Sequence, residues 1–276
     1  MATPSLISIN KLANTRVLII GGTSGIGFSV ARAALEHGAY IIISSSNSQR
    51  VSSTISRLQT LYPDNVYTDH ITGRPCDLGD QATHKQNLLS LLDYATSNDD
   101  TIERVLLNHI IYTAGTPPPR IPIASSETTA SSFLALSTLR LLAPMLIGKH
   151  AKKYLVNHHT SSITFTSGLM AARPAAGLAV GGAAVGSALE GLTRGLAVEL
   201  APIRVNVVAP GAVETEIFER LGPAREAYME AFRRGTLTGK VGRPEDVAEA
   251  YIWCMKDGFV TGQRLGSDGG ALLKGA

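Results

Sequence analysis

The residues best suited to chemistry come early. Gly21, Gly25 and Gly27, spaced G-x-x-x-G-x-G, follow the apolar run Val17-Leu18-Ile19-Ile20. They open the stretch Phe28 to His37, whose helical pattern stops at Gly38. A buried strand, a glycine turn and a helix N-terminus together make an anion site. Unpaired backbone N–H groups and the positive end of the helix dipole point at a phosphate. Glycine keeps side chains out of the way of a pyrophosphate and tolerates positive φ. Thr23, Ser24 and Ile26 fill the turn and belong to the same predicted cofactor-binding set. The plain alternative is a glycine-rich strand exit with no ligand, because the spacing departs from G-x-G-x-x-G.

A second group lies where a dinucleotide fold meets the adenosine ribose. Tyr40 to Ser44 is apolar and β-branched, and reads as the second strand. An acidic residue at its end would accept from the 2′-hydroxyl and repel a 2′-phosphate. Instead the chain has Ser45, Ser46 and Asn47, with Arg50 one helical turn on. These donors favour NADP(H) over NAD(H). Ser and Asn also cap helices, and both roles can hold together.

Elements must position these residues. Val51, Ile55, Leu58 and Leu61 give Ser48 to Leu61 one apolar helical stripe, ended by Pro63-Asp64-Asn65. A third strand is expected to end near Cys76-Asp77-Leu78, a fourth to span Val105 to Tyr112, and a fifth Ser161 to Ser167. Thr116-Pro117-Pro118-Pro119 reads as a stiff loop, and Glu127 to Tyr154 as a long helix. The chain has 276 residues, 44% hydrophobic and 17% charged, with net charge +3. That is one α/β domain with an ordinary core, the first 13 residues forming an extension. The charge is too small to argue for nucleic acid. Cys76 and Cys254 read as reduced core thiols. Met1 to Arg16 lacks a signal-like apolar segment, and no apolar run is read as a bilayer span. Adjacent residues such as His158-His159 would point to opposite faces on an extended segment, so the pair reads as a loop or strand edge and no metal site is expected.

Several later motifs occur in order: Tyr112-Thr113-Ala114-Gly115, Ile203-Arg204-Val205-Asn206-Val207-Val208-Ala209-Pro210-Gly211-Ala212-Val213-Glu214-Thr215, Gly242-Arg243-Pro244-Glu245-Asp246, Thr261-Gly262-Gln263 and Asp268-Gly269-Gly270. With the glycine loop, this series resembles the short-chain dehydrogenase/reductase family from about residue 14 onward. The resemblance implies a Rossmann fold: a doubly wound parallel sheet of about seven strands with helices on both faces. It places Ser45 where NAD-preferring members carry Asp. Asp77 and Leu78 would flank the adenine, although Asp77 could equally cap the next helix. Thr113, Ala114 and Gly115 stand for the NAG part of an NNAG motif. Pro210, Gly211, Val213 and Thr215 would hold the nicotinamide end. Ser167 matches the substrate-orienting Ser. Arg140 stands where the family usually has Asn. It cannot accept hydrogen bonds, so it either faces the active site or pairs with a carboxylate.

The family pattern then calls for Tyr-x-x-x-Lys, the proton donor and its partner. Here Gly182 and Gly186 take those places, and no Tyr or Lys occurs between Leu169 and Leu200. Gly181, Gly182, Gly186, Gly191 and Gly195 each lower helix propensity by ~1 kcal/mol relative to Ala. They leave either open volume for a bulky substrate or closer backbone packing. A positioned general acid contributes ~10²–10⁴-fold. Its loss is tolerable if the substrate is an iminium ion or activated acceptor, if Tyr112 or Ser167 supplies the proton, or if hydride transfer is absent. The missing pair, together with Gly21 to Phe28, Ser44 to Asn47 and Arg140, resembles fungal natural-product members, some of which reduce imines or couple reduction to cyclisation.

The expectation is an NADP(H)-dependent oxidoreductase of specialised metabolism, cytoplasmic and homo-oligomeric, dimer or tetramer, with a bulky polycyclic or imine-containing small-molecule substrate. The alternatives are a cyclase or isomerase using the nucleotide as scaffold, and a non-catalytic nucleotide-binding protein. Phe218, Leu221, Tyr228, Met229 and Phe232 are available to cover substrate or to pack a core.

Overall fold

The computed structural model describes residues 7–62, 66–97, 103–115, 122–175 and 179–274. Among these, seven strands form one parallel sheet: β1 (Arg16–Ile20), β2 (Tyr40–Ser44), β3 (Ile71–Gly73), β4 (His109–Tyr112), β5 (Ser162–Thr166), β6 (Arg204–Pro210) and β7 (Arg264–Ser267). Their spatial order is β3-β2-β1-β4-β5-β6-β7. The run at β1 shows no polar alternation because both sheet faces are covered. Val17 and Ile19 enter one core cluster and Leu18 and Ile20 the other, as the two-residue strand period requires. Helices α1 (Gly25–Glu36), α2 (Ser48–Thr60) and α8 (Pro244–Lys256), the last following α7 (Arg225–Arg234), contribute to the first cluster. Helices α3 (His84–Ala95), α5 (Ala143–Tyr154) and α6 (Ala179–Glu199) contribute to the second. Strand order reverses between β1 and β4, and the crevice at the carboxyl ends of these strands is where such sheets bind ligands.

Three elements differ from the sequence reading. β3 stops at Gly73, short of Cys76; beyond it, Arg74 N and Cys76 N still bond to Ile43 O and Ser45 O of the β2 segment, without a continued ladder. β4 begins at His109, and Leu107 makes only an isolated bridge to Leu155. The expected long helix starts at Ala130, behind a reciprocal Thr129/Ser132 capping box. It comprises α4 (Ala130–Ser137), a π-helical turn (Thr138–Leu142) and α5. Pro144, in the first turn of α5, explains the π turn. Proline has no N–H and collides with the carbonyl four residues back, so the ladder shifts register and Ala143 N bonds to Thr138 O. Contrary to the sequence reading, the stretch Ala130–Tyr154 is long and apolar enough to cross a bilayer by length and composition. Its second half nevertheless packs inward, with Ala143, Ile147, Ala151 and Tyr154 at most 1% exposed.

His158 and His159 lie on a turn, in keeping with the loop reading, but their rings are 4.1 Å apart rather than on opposite faces. The Pro63–Asn65 break and the Pro117–Pro119 loop lie outside the described residues. Cys76 and Cys254 are buried and unbridged, and burial pushes both thiols up to about 12.

Candidate active site and cofactor cleft

The glycine loop fits a pyrophosphate because it has no room for anything but backbone. A Cβ on Gly27 would lie 2.2 Å from Gly21 O, and one on Gly21 would lie 2.5 Å from Ala114 N. Gly25 has φ +49°, and a Cβ there would meet Thr215 Cγ2 at 2.9 Å. Each glycine is therefore demanded by a close approach or a left-handed φ. α1 begins at Gly25 behind Ser24, which makes no side-chain cap bond, so the first-turn N–H groups keep their capacity for an anion. Thr113 clamps the loop from β4: its N–H donates to Ile20 O, and its hydroxyl lies 3.1 Å from Gly21 O. Thr23 O accepts from Thr54 Oγ1 of α2 at 3.4 Å. Ile26 is half-buried against the α1 side of the core.

At the end of β2, where the ribose is expected, Asn47 does cap α2: its Oδ1 accepts from Arg50 N at 2.9 Å. Ser45 Oγ bridges to Asn47 backbone at 3.3–3.4 Å. The capping role is thus real, and Ser46 and Arg50 stand exposed on the same rim. Asp77 does not cap α3. Its Oδ1 accepts from Gly79 N, while Asp80 binds Ala82 N and the Thr83 hydroxyl. Leu78 is 2% exposed and belongs to the core, so only its backbone can border an adenine.

The segment expected to hold the nicotinamide is assembled from β6 and residues 264–270. Gly211 N donates to Ser267 O, and a Cβ on Gly211 would meet Asp268 Cα at 2.8 Å. Val213 is buried and bridges Gly242, which fixes the path of Pro210 to Thr215. Beyond it, Phe218, Tyr228 and Phe232 pack on one another and Met229 is buried. The side chain of Leu221 lies outside the described residues.

Of the three residues expected to take part in catalysis, two lie beside the carboxyl ends of β4 and β5. Arg140 sits on the π turn, with Nη2 3.2 Å from where a Gly115 Cβ would stand. Gly115 therefore gives the guanidinium its place beside the end of β4. Burial pulls that guanidinium below its usual range, with Tyr112 opposing the shift. Ser167, just after β5, lies with its Oγ 3.1 Å from Glu190 Oε1 on α6.

Tyr112 is a correction. Its side chain is 2% exposed and its hydroxyl donates to Leu139 O. The π turn explains why. Ala143 N is taken by Thr138 O, and Pro144 has no N–H, so Leu139 O lacks both helical donors. Tyr112 satisfies that carbonyl, and burial pushes the phenol far up. A hydroxyl so engaged is a packing device, not a proton donor to substrate.

Of the two readings of Gly182 and Gly186, open volume or closer packing, the structure shows the second. The short 3₁₀ turn Leu169–Ala171 fills the space: a Cβ on Gly182 would meet Met170 Cε at 3.0 Å, and one on Gly186 would meet Ala171 Cβ at 2.9 Å. Closer packing, not an open chamber, follows from the missing side chains. Sequence reasoning missed Glu190 and Arg264, which pair at 2.9 Å. The signal was present: Glu190 follows Gly186 by four residues and so shares its helix face.

Comparison with known proteins agrees with this fold. The family profile for the SDR-like Rossmann domain matches residues 8–274. A short-chain dehydrogenase/reductase of Stachybotrys chlorohalonatus, ATR9, is 41% identical over 260 residues, covering 94% of this chain and 97% of its own. The malC protein of Malbranchea aurantiaca is 39% identical over 272 residues, covering 98% and 99%. The solved structure of MalC, described as a reductase/Diels-Alderase, superposes with a TM-score of 0.88 over 97% of this chain and 100% of that one, at 39% identity.

Proposed function

The chain belongs to the short-chain dehydrogenase/reductase family, and on that premise we propose that it is an NADP(H)-dependent oxidoreductase of fungal specialised metabolism. Its substrate would be an imine, an iminium ion or an activated carbonyl. One observation carries the reading: the glycine cradle is complete, while the α6 face that should hold Tyr and Lys holds Gly182 and Gly186 packed on Met170 and Ala171. The nicotinamide supplies hydride when bound. Gly21, Gly25, Gly27 and Thr113 shape the pyrophosphate seat, and Ser46 and Arg50, in a stretch Ser44–Arg50 that has no acidic residue, suit a 2′-phosphate.

Reducing a ketone leaves an alkoxide that needs a proton, and a positioned acid lowers that barrier by about 3–5 kcal/mol. Reducing an iminium ion gives a neutral amine and needs no concerted acid. A site without Tyr suits the second reaction. Arg140 can hold an electron-rich oxygen or carboxylate of the substrate by paired hydrogen bonds. A second reading, cyclisation coupled to reduction or replacing it, draws support from the description of MalC as a reductase/Diels-Alderase.

The test is isotope transfer. NADPH deuterated at the transferable C4 position is incubated with the protein and a panel of cyclic imines. Deuterium in the amine product, with loss of nicotinamide absorbance, is the expected result. Product formed without deuterium would favour the cyclase reading. Nucleotide binding without turnover of any substrate would favour a non-catalytic role.

A further inference from the structure

We propose that Glu190 holds Ser167 as a hydrogen-bond acceptor, so that the site takes a substrate presenting an N–H donor: a protonated imine or an ammonium nitrogen. The proposal rests on the oxidoreductase reading above and narrows its substrate class.

A serine hydroxyl has one proton and two lone pairs. The groups around Ser167 Oγ decide which it offers. Glu190 Oε1 lies at 3.1 Å and Gly186 O at 3.5 Å. Both are acceptors. Glu190 is ion-paired with Arg264, Nε to Oε1 at 2.9 Å, and the pair is mostly buried, with side chains 14% and 23% exposed. A carboxylate in such a pair only accepts, and a hydroxyl-to-carboxylate bond is stronger than one between neutral groups. The single proton of Ser167 therefore points at the protein. Its lone pairs are what it can present to a substrate. A ketone oxygen, an acceptor, would compete with Glu190 for that proton. A nitrogen bearing hydrogen would not.

The contact exists because of the missing lysine. A Cβ at position 186 would stand 3.3 Å from Ser167 Oγ and 2.9 Å from Ala171 Cβ. A larger residue would collide with Ala171, so that the 3₁₀ turn must shift, and would crowd Ser167 Oγ. Glycine lets Ser167 reach the carboxylate one helical turn further on. The glycine at 186 thus both removes the cationic partner of the usual acid and reverses the polarity of the serine. Because Glu190 and Arg264 cancel in charge, the preference is for a donor rather than for any cation. Glu190 is a positioning residue; Ser167 touches the substrate.

The experiment uses two bicyclic probes of matched shape: 1,2,3,4-tetrahydroisoquinolinium, which donates, and isochroman, which accepts. Each is titrated by calorimetry into the full-length protein, with saturating NADP⁺ and again without nucleotide. The ammonium probe should bind at least tenfold more tightly. That ratio should fall at least fivefold in Ser167→Ala and in Glu190→Gln, whose amide can donate to Ser167 and free its proton. Gly186→Ala should lower it as well, and melting curves check that all three variants fold. NADP⁺ affinity should stay within twofold. A ratio near one, no binding of the ammonium probe, or a ratio unchanged in Glu190→Gln would overturn the proposal. Failure to bind NADP⁺, with the probe ratio intact, would instead sink the oxidoreductase reading.

Discussion

Tyr112 and Arg140 occupy adjacent sites and divide into two kinds. Tyr112 looked chemical in the sequence because it stands at a motif position; its surroundings make it structural. The carbonyl of Leu139, stranded by the π turn, takes its proton. Tyr112→Phe removes that donor and leaves a buried carbonyl unsatisfied, a loss of roughly 1–3 kcal/mol. For a domain of this size that lowers the melting temperature by ~2–4 °C per kcal/mol. Calorimetry should show the drop while turnover per folded molecule stays near wild type. An unchanged melting point with lost turnover would restore the tyrosine to catalysis. Arg140 differs because Gly115 leaves its guanidinium a place at the crevice, where desolvation strengthens any bond it makes to substrate.

At the scale of elements, periodicity made the sheet legible. β2 was placed to the residue because Tyr40 to Ser44 is a clean β-branched run. The glycine loop was legible because a close approach leaves glycine as the only choice. The π turn was not, since one proline in a helical pattern does not say how the ladder will adjust. Nor was the pairing of Ser167 with Glu190, which depends on how far a strand end sits from a helix. The volume behind Gly182 and Gly186 had two readings, and packing decided between them. Restoring the pair by Gly182→Tyr with Gly186→Lys should therefore fail to speed reduction of a cyclic imine. The new side chains must displace Met170 and Ala171, an overpacking loss of ~1–3 kcal/mol. A lower melting point and an equal or slower rate are expected in a stopped-flow assay. A faster rate would mean that concerted protonation had been limiting after all.

Over the whole molecule, two properties follow from which surfaces the sheet and helices cover. The stretch Ala130–Tyr154 turns Phe133, Leu134 and Met145 outward, 42–53% exposed, an apolar face suited to a second copy of the chain. Light scattering should show a dimer or tetramer at micromolar concentration, and Leu134→Glu with Met145→Glu should shift it toward monomer. The other property comes from the middle of the sheet. His109 is 2% exposed in β4, with Nδ1 2.9 Å from Ser162 Oγ. Burial, with a smaller push from the Arg204 cation, lowers its pKa from 6.5 to about 3. Folded, the ring stays neutral; unfolded, it protonates below 6.5. The unfolded state then binds more protons, so stability rises with pH across that window. The contribution is fully present above pH 6.5 and is lost as pH falls toward 3, by up to about 1.4 kcal/mol per pH unit. Urea unfolding should show a clear loss between pH 7.5 and pH 5. His150, also lowered by burial and by Lys149, Lys85 and Lys153, adds in the same direction. In His109→Asn the group that titrates is gone, so the difference between the two pH values should shrink even if the variant is less stable at both. A pH dependence unchanged in His109→Asn would place the acid sensitivity of this fold elsewhere than in the centre of its sheet.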